Sequence, residues 1–350
     1  MRQNRRWDRG DSRRTFLVRC GLSLLSWAAM QPRWLEAAEA WESSVIQLNA
    51  RAPGEPRPIA VTTAIRPSGQ RLAVAGDDHV IQIWDLREQR VVNRLTGHTG
   101  VIRTVGYSPD GRLLASAGHD GRILLWEEEL SRPVNELAQV STAITRLVFS
   151  HDNHLLATTG FEEPLRLFDV RTAAQVEALP SPCRDMRALA FAPRRAWLAV
   201  GGADGTIRIW DALEGKLRRE WIAHQRRIRD LEFSPDGRYL ASCGEDRVVR
   251  ISTVEDDGWF ELPQQNAKAM ALAFIGNEQI AVGGSDNMIR VWNLAERREG
   301  EPLQGHTGSI TALHYADEVL ISASYDTTVR IWRANPHVAQ GTSKAKDVTR

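Results

Sequence analysis

The fold of this chain is decided by residues 113–126, LLASAGHDGRILLW, which read as two short apolar strands on either side of a tight polar turn. The position of the closing aromatic residue returns along the chain with a nearly constant spacing. It falls at Trp84, Trp126, Phe168, Trp210, Ser252, Trp292 and Trp332, in four steps of 42 residues and two of 40. A period of this length, filled with short β-type segments and no helical pattern, predicts an all-β propeller of seven four-stranded blades.

The two ends of the repeat region complement each other. Residues 41–50 contain one strand-like segment without a neighbouring partner, whereas the last repeat ends at Trp332-Arg333 and continues into a polar tail. We therefore expect the first strand to be the outer strand of the last blade, where it closes the ring, covers an open sheet edge and buries Val45, Ile46 and Leu48. The predicted domains are a propeller over residues 41–333 and a polar C-terminal tail over residues 334–350.

The composition is that of an ordinary globular protein, but its charge is unevenly distributed. The 350 residues are 42% hydrophobic and 25% charged, and the formal net charge is +1. Residues 1–40 contain eight Arg and four acidic residues, a balance of +4, so that residues 41–350 carry −3. A mildly acidic globular part argues against general binding of nucleic acid.

Residues 1–40 have the pattern of an export signal, with a basic start, an apolar middle and a small-x-small end. The paired arginines followed by Phe and Leu resemble the twin-arginine motif. The residues of this predicted signal are Arg13, Arg14, Phe16, Leu17, Ala38 and Ala40. Because the uncharged run at residues 20–32 has 13 residues, fewer than the roughly 20 of a membrane-spanning helix, we expect no stable membrane anchor. The prediction is a protein of the periplasm or cell envelope, and the alternative is a cytoplasmic protein with a basic tail.

Two dipeptides mark the repeats: Gly-His at Gly97-His98 and Gly305-His306, and Trp-Asp at Trp84-Asp85 and Trp210-Asp211. These marks resemble those of WD40 repeats, and the resemblance extends over essentially all of residues 41–333. It implies a seven-bladed WD40-type β-propeller, in which a His, a Ser or Thr, an Asp and a Trp form one hydrogen-bonded chain within a blade.

The resemblance implies two complete structural tetrads, and the other repeats depart from the pattern. The complete sets are His98, Ser116, Asp120 and Trp126 in the second repeat, and His306, Ser322, Asp326 and Trp332 in the seventh. The fifth repeat keeps His224, Ser242 and Asp246 but has Ser252 in place of the Trp. The first, fourth and sixth repeats have Val74, Val200 and Val282 at the Ser position. Blades with incomplete sets should depend more on packing than on hydrogen bonds.

Ser, His and Asp also form the catalytic triad of hydrolases, but a structural role fits this sequence better. A triad occurs once beside an open cleft, whereas this set occurs twice with its Ser in the middle of a strand. No nucleophile elbow, HExxH, phosphate-binding loop or clustered calcium-ligand motif is present, and Cys183 and Cys243 lack a CxxC neighbour. We expect no enzyme activity, no cofactor and no metal; the alternative is an enzyme with an unrecognised cofactor site in the propeller.

The resemblance also indicates where a partner would bind. In WD40-like proteins the usual docking surface is the face that carries the Asp turns and the loops leading into the blades. The candidate partner-binding residues on that face are Arg103, His119, Arg187, Arg227, Arg229, Lys268, Met270 and Tyr325. Because five of the eight are cationic, we expect a protein or peptide partner with an acidic segment, bound by a monomeric propeller that acts as a scaffold. The alternative is a solvated rim of charges without a partner.

Overall fold

The computed structural model describes residues 41–48, 54, 57–162, 164–180, 183 and 185–334, and these residues form 28 β-strands in seven antiparallel sheets. The predicted export signal and C-terminal tail lie outside the described residues, apart from Ala334, which ends the last strand. Each sheet has four strands, and its strands follow the chain from the inner strand to the outer one in six of the seven sheets. The prediction of a seven-bladed all-β propeller is confirmed.

The blades are built as follows, each from its inner to its outer strand. Blade 1 contains β2 (Ala60–Ile65), β3 (Arg71–Gly76), β4 (Val80–Asp85) and β5 (Arg90–Thr96). Blade 2 contains β6 (Ile102–Tyr107), β7 (Leu114–Gly118), β8 (Arg122–Trp126) and β9 (Asn135–Gln139). Blade 3 contains β10 (Ile144–Phe149), β11 (Leu155–Gly160), β12 (Leu165–Asp169) and β13 (Gln175–Leu179). Blade 4 contains β14 (Met186–Phe191), β15 (Trp197–Gly202), β16 (Thr206–Asp211) and β17 (Lys216–Ile222).

The remaining blades have shorter outer strands or borrow one. Blade 5 contains β18 (Ile228–Phe233), β19 (Tyr239–Gly244), β20 (Val249–Thr253) and β21 (Trp259–Glu261). Blade 6 contains β22 (Ala269–Ile275), β23 (Gln279–Gly284), β24 (Ile289–Asn293) and β25 (Arg298–Glu299). Blade 7 contains β26 (Ile310–Ala316), β27 (Val319–Ser324), β28 (Thr328–Ala334) and, as its outer strand, β1 (Trp41–Gln47) from the other end of the repeat region.

The ring is closed by the pairing of β1 with β28. The two strands are antiparallel from Trp41 opposite Ala334 to Gln47 opposite Thr328, in agreement with the closure expected from the sequence. The side chains of Ile46 and Leu48 are 2% and 3% exposed and pack in the core between blades 7 and 1. The expected burial of Val45 is wrong, since 45% of this residue is exposed. Successive side chains of a strand point to opposite faces, so Val45 cannot share the face of Ile46 and Leu48.

The core lies in the contacts between successive blades. Each inner strand packs against the inner strand of the next blade, and β26 of blade 7 packs against β2 of blade 1. Blades 1 and 2, for example, share a core in which Ile81 and Ile83 meet Ile102 and Trp126, all at most 1% exposed. Because both faces of each sheet are covered in this way, the middle strands are apolar along nearly their whole length.

A β-bulge recurs near the start of every inner strand and determines which side chains reach the centre of the ring. In blade 2 the pairing of β6 with β7 shifts between Ile102 and Thr104, so that Arg103 is the extra residue. The same shift occurs in the other six blades, and the seven bulge residues are Val61, Arg103, Thr145, Arg187, Arg229, Met270 and Thr311. A bulge bends the strand and redirects the side chain of its extra residue, here toward the channel at the centre.

Among the described residues, no helix has the length and apolar character needed to cross a membrane.

Candidate partner-binding site

The predicted tetrads of blades 2 and 7 are complete hydrogen-bonded chains. In blade 2, Nδ1 of His98 lies 2.8 Å from the carboxylate of Asp120, its Nε2 lies 2.7 Å from Oγ of Ser116, and that hydroxyl accepts the indole N–H of Trp126 at 2.7 Å. The hydroxyl is buried, since Ser116 is 0% exposed. A serine enclosed in this way braces the blade and has no path to a substrate.

Blade 7 repeats this arrangement. Nδ1 of His306 lies 2.9 Å from Asp326, its Nε2 lies 2.7 Å from Ser322, and Trp332 donates to that serine at 2.9 Å. Burial lowers the pKa of His306 against the opposing effect of Asp326, so the imidazole is neutral at pH 7. A carboxylate only accepts hydrogen bonds, hence the ring proton is on Nδ1 and the Ser322 hydroxyl donates to Nε2.

The acidic member of the tetrad is ionised and tightly held. Burial disfavours the charged form of Asp120, but hydrogen bonds from His98 and from the backbone N–H of Thr99 outweigh it and lower its pKa to about 2. In blade 5, His224 likewise bridges Ser242 at 2.8 Å and Asp246 at 3.0 Å. In blades 2, 5 and 7 the turn aspartate therefore ties the loop before the blade to the blade itself.

In blades 1 and 6, which lack the serine, the indole has no hydrogen-bond acceptor. The Nε1 atoms of Trp84 and Trp292 are buried and have no hydrogen-bond partner within the described part of the chain. The position that holds Ser116 in blade 2 is occupied here by Val74 and Val282, which are 1% and 2% exposed. These blades are held by apolar packing at the point where blades 2 and 7 use a hydrogen bond.

The candidate partner-binding residues meet around the mouth of the central channel. Five of the eight line one cavity of about 470 Å³, namely Arg103, Arg187, Arg229, Met270 and Tyr325. The remaining three, His119, Arg227 and Lys268, are not part of that lining. Four of the five lining residues are bulge residues and the fifth, Tyr325, directly follows the second strand β27, so the blade geometry itself directs them to the same opening. We call this opening, with its five lining residues, the arginine mouth.

Two acidic residues, Asp185 and Glu245, pair with most of the cations of this face. Asp185 binds Arg187 and Arg227, each at 2.7 Å. Glu245 binds Arg229 at 2.5 Å and Arg227 at 3.3 Å, and the amino group of Lys268 lies 3.8 Å from it. Two carboxylates therefore offset two of the five positive charges that the sequence predicts on this face.

Sequence reasoning missed the ion pairs of these two acids although both acids occupy regular positions. Asp185 directly precedes the inner strand β14, and Glu245 directly precedes the turn acid Asp246. Their blades bring them beside the bulge residues Arg187 and Arg229. A search for acids at these two repeat positions would have found them.

Arg103 is the cation of the arginine mouth that stays uncompensated. No ion pair or hydrogen bond joins its guanidinium to another described residue, and Arg187 and Arg229 lie close enough to repel it. Burial and these two like charges lower its pKa, opposed by Tyr325. Partial burial of the His119 ring, and after it the charge of Arg103, lower the pKa of His119, so this ring is neutral at pH 7. Arg187 also lies over the ring of Phe161 at 5.1 Å, which helps to hold its orientation.

The interior of the channel contains a second charged cluster that the sequence did not reveal. Arg146 of blade 3 reaches Asp230 of blade 5 at 2.6 Å. Burial and the adjacent Asp230 raise the pKa of Glu232 to about 8. Burial and the charge of Arg146 lower the pKa of His314 to about 4. At pH 7 Glu232 and His314 are therefore neutral.

The described residues contain no group of three or more His, Cys, Asp or Glu side chains arranged to hold a metal ion. Cys183, which is half-buried, and Cys243, which is buried, form no disulfide bond within the described part of the chain. The predicted signal residues Arg13, Arg14, Phe16, Leu17, Ala38 and Ala40 lie outside the described part of the chain.

Comparison with known proteins places this geometry in a family. The family described as WD domain, G-beta repeat matches residues 58–85, 89–127, 176–211, 215–251, 261–293 and 298–333, which together exceed half of the chain. This chain belongs to the WD40 family. Most matches join the outer strand of one blade to the first three strands of the next. The WD40 matches omit β10 to β12 of blade 3, where the aromatic position is Phe168, although the structure shows a complete blade there.

Individual WD40 relatives match only short segments. The protein transport protein SEC13 of Chaetomium globosum is 39% identical over 71 residues, which cover 17% of this chain and 24% of that protein. The ribosome biogenesis protein YTM1 of Eremothecium gossypii is 35% identical over 60 residues, covering 17% and 13%. The mitochondrial division protein 1 of Mycosarcoma maydis is 43% identical over 47 residues, covering 13% and 6%. The chain thus matches at most about a quarter of the length of these relatives.

Proposed function

We propose that this WD40 propeller is a non-catalytic scaffold that docks an acidic segment of a protein partner on the face of the arginine mouth. WD40 propellers generally serve protein interactions, and the enclosed tetrad serines offer no nucleophile. The observation that carries the proposal is the convergence of bulge residues Arg103, Arg187 and Arg229 at one opening, where Arg103 has no acidic partner among the described residues.

The charge balance of this face favours an acidic ligand. Among the five predicted cations and the two acids that pair with them, Asp185 and Glu245, the excess is three positive charges. Tyr325, 49% exposed, and Met270 add adaptable contact area beside the charges. The excess is local, because residues 41–350 as a whole carry −3. A local excess on a mildly acidic protein directs an acidic segment to this face.

Selection from a displayed library of random peptides on the purified protein tests this proposal. We expect the selected peptides to be rich in Asp and Glu, and their binding to weaken with added salt. Arg103→Ala should lower their affinity about tenfold, the loss expected for one charge-assisted hydrogen bond. Arg112→Ala is the matched control, because the 85% exposed side chain of Arg112 follows the turn between β6 and β7 at the opposite face. Selection of neutral or basic peptides, or equal effects of the two variants, would contradict the docking proposal.

We further propose that the protein is exported by the twin-arginine route and acts in the periplasm or cell envelope. The support is the order of basic, apolar and small-residue segments in residues 1–40. Changing Arg13 and Arg14 together to Lys should retain the protein in the cytoplasmic fraction of a bacterial host, while Arg5→Lys with Arg6→Lys is the matched control. If the double Lys variant at 13 and 14 distributes like the unchanged chain, this route is excluded.

A further inference from the structure

The channel at the centre of the ring continues inward from the arginine mouth along the inner strands. Its lining starts with bulge residues such as Arg103 and Arg187 and extends to Pro109 and His151, which follow the far ends of β6 and β10. The cavity volume of about 470 Å³ is ample for a small organic acid or a single long side chain. The docking face therefore opens onto an interior site with its own chemistry.

The channel lining carries an excess of positive charge. It contains four arginines and two carboxyl groups: Arg103, Arg146, Arg187, Arg229, Asp230 and Glu232. Asp230 is occupied by Arg146 at 2.6 Å and by the backbone N–H of Leu272 at 3.0 Å. Glu232 accepts the backbone N–H of Phe274 at 2.9 Å, and its raised pKa of about 8 keeps it uncharged at neutral pH. Asp185 and Glu245, which lie outside the lining, pair with Arg187 and Arg229, so the charge without an acidic partner is that of Arg103, which attracts an anion.

Several polar atoms around the channel lack partners within the described structure. Arg103 has no ion pair, and the buried Nε of Arg229 has no acceptor. Deeper in the channel, the buried Nε2 of His314 is also unpaired. Buried polar groups are normally satisfied, and a carboxylate could accept from the guanidinium groups at the mouth.

Between these polar groups the wall is apolar. Val61, Ala64 and Ala312 belong to the lining and come from blades 1 and 7, across the ring from the arginines of blades 4 and 5, and Met270 comes from blade 6, which is next to blade 5. A ligand that satisfies both sides has a carboxylate at the arginines and a short aliphatic stem against the apolar wall.

We propose that the central channel binds a carboxylate group on a short aliphatic stem, which enters between Arg103, Arg187 and Arg229. Two sources share this chemistry. One is a Glu side chain or chain terminus of the docked partner, and for this source the inference rests on the proposed function. The other is a free dicarboxylic acid, which needs no docked protein.

Titration of the purified full-length protein with glutarate, followed by calorimetry, tests the site directly. We expect saturable binding of one glutarate, weakened about tenfold or more by Arg103→Ala because a charge-assisted hydrogen bond is lost. Val61→Trp should abolish binding by filling the channel, and Met270→Trp is a second filling variant in case the first disturbs the fold. The matched controls are Arg112→Ala at the opposite face and Val176→Trp on the outer strand of blade 3, where Val176 is 58% exposed.

The outcomes separate this inference from the docking proposal. Displacement of glutarate by a selected acidic peptide would assign the carboxylate to the partner, whereas simultaneous binding of both would assign the site to a free acid. Failure to select acidic peptides while glutarate still binds would remove the docking proposal alone. The channel site is overturned if glutarate shows no saturable binding, or if its binding survives both Val61→Trp and Met270→Trp.

Discussion

Removal of one buried hydroxyl, by Ser322→Ala in blade 7, should destabilise the propeller far more than its size suggests. Ser322 is 0% exposed, and its hydroxyl donates to Nε2 of His306 at 2.7 Å and accepts from Nε1 of Trp332 at 2.9 Å. Alanine fills nearly the same volume, so almost no cavity forms. The variant leaves one buried acceptor and one buried donor unpaired, each at about 1 to 3 kcal/mol. The free energy of unfolding should therefore fall by about 2 to 6 kcal/mol.

Urea unfolding of the purified protein, followed by tryptophan fluorescence and circular dichroism, measures this loss. Ser131→Ala is the control, because the exposed hydroxyl of Ser131 makes a single bond of 3.2 Å to Asn93, and its loss should change stability by at most about 0.5 kcal/mol. In a Trp332→Phe background, Ser322→Ala should cost about 1 kcal/mol less, because the indole donor is already absent. Equal stabilities of Ser322→Ala and Ser131→Ala would refute the bracing role of the tetrads.

Three further perturbations test the closure and the charged groups. Ile46→Ala should lower the free energy of unfolding by about 2 to 4 kcal/mol because it opens a cavity between blades 7 and 1. Val45→Ala should lower it by less than about 0.5 kcal/mol because Val45 is exposed. Equal thermal stabilities of the two variants would contradict the observed orientation of β1. The pKa of Glu232 is about 8 in the folded protein against 4.5 in the unfolded chain, so the native protein loses stability as pH rises between these values. The stability of Glu232→Gln relative to the unchanged protein should therefore increase by about 1 to 3 kcal/mol between pH 5 and 8. A stability difference that does not change with pH in urea titrations would exclude this. The pKa of Asp120 is about 2 in the folded protein against 3.8 in the unfolded chain, so its carboxylate contributes about 2 kcal/mol of stability above pH 3.8, which is lost as pH falls toward 2. The stability loss caused by Asp120→Asn should therefore disappear over that pH range. A loss that does not depend on pH would contradict the charged tetrad.

Much of this fold can be predicted from the sequence because each blade is a local unit. The spacing of Trp84, Trp126 and the corresponding residues predicts the number of blades, because each repeat forms one sheet around one buried aromatic position. The tetrads follow as well, because His98, Ser116, Asp120 and Trp126 belong to a single repeat and meet wherever that repeat folds. The pairing of the outer strand β1 with blade 7 can be predicted in the same way, because the last repeat has no outer strand of its own in the sequence and residues 41–50 have no neighbouring strand to pair with.

The tertiary structure alone decided which charges meet at the centre. Arg146 and Asp230 are two blades apart in the chain, and only closure of the ring brings their side chains to 2.6 Å. The ion pair of Arg227 with Asp185 likewise joins the loop before blade 5 to blade 4, whereas Arg103 meets no acid among the described residues. The repeat spacing specifies positions within a blade, whereas distances across the channel depend on seven blades closing at once. For this reason the residues of the candidate site were predictable one by one, and their charge balance was not.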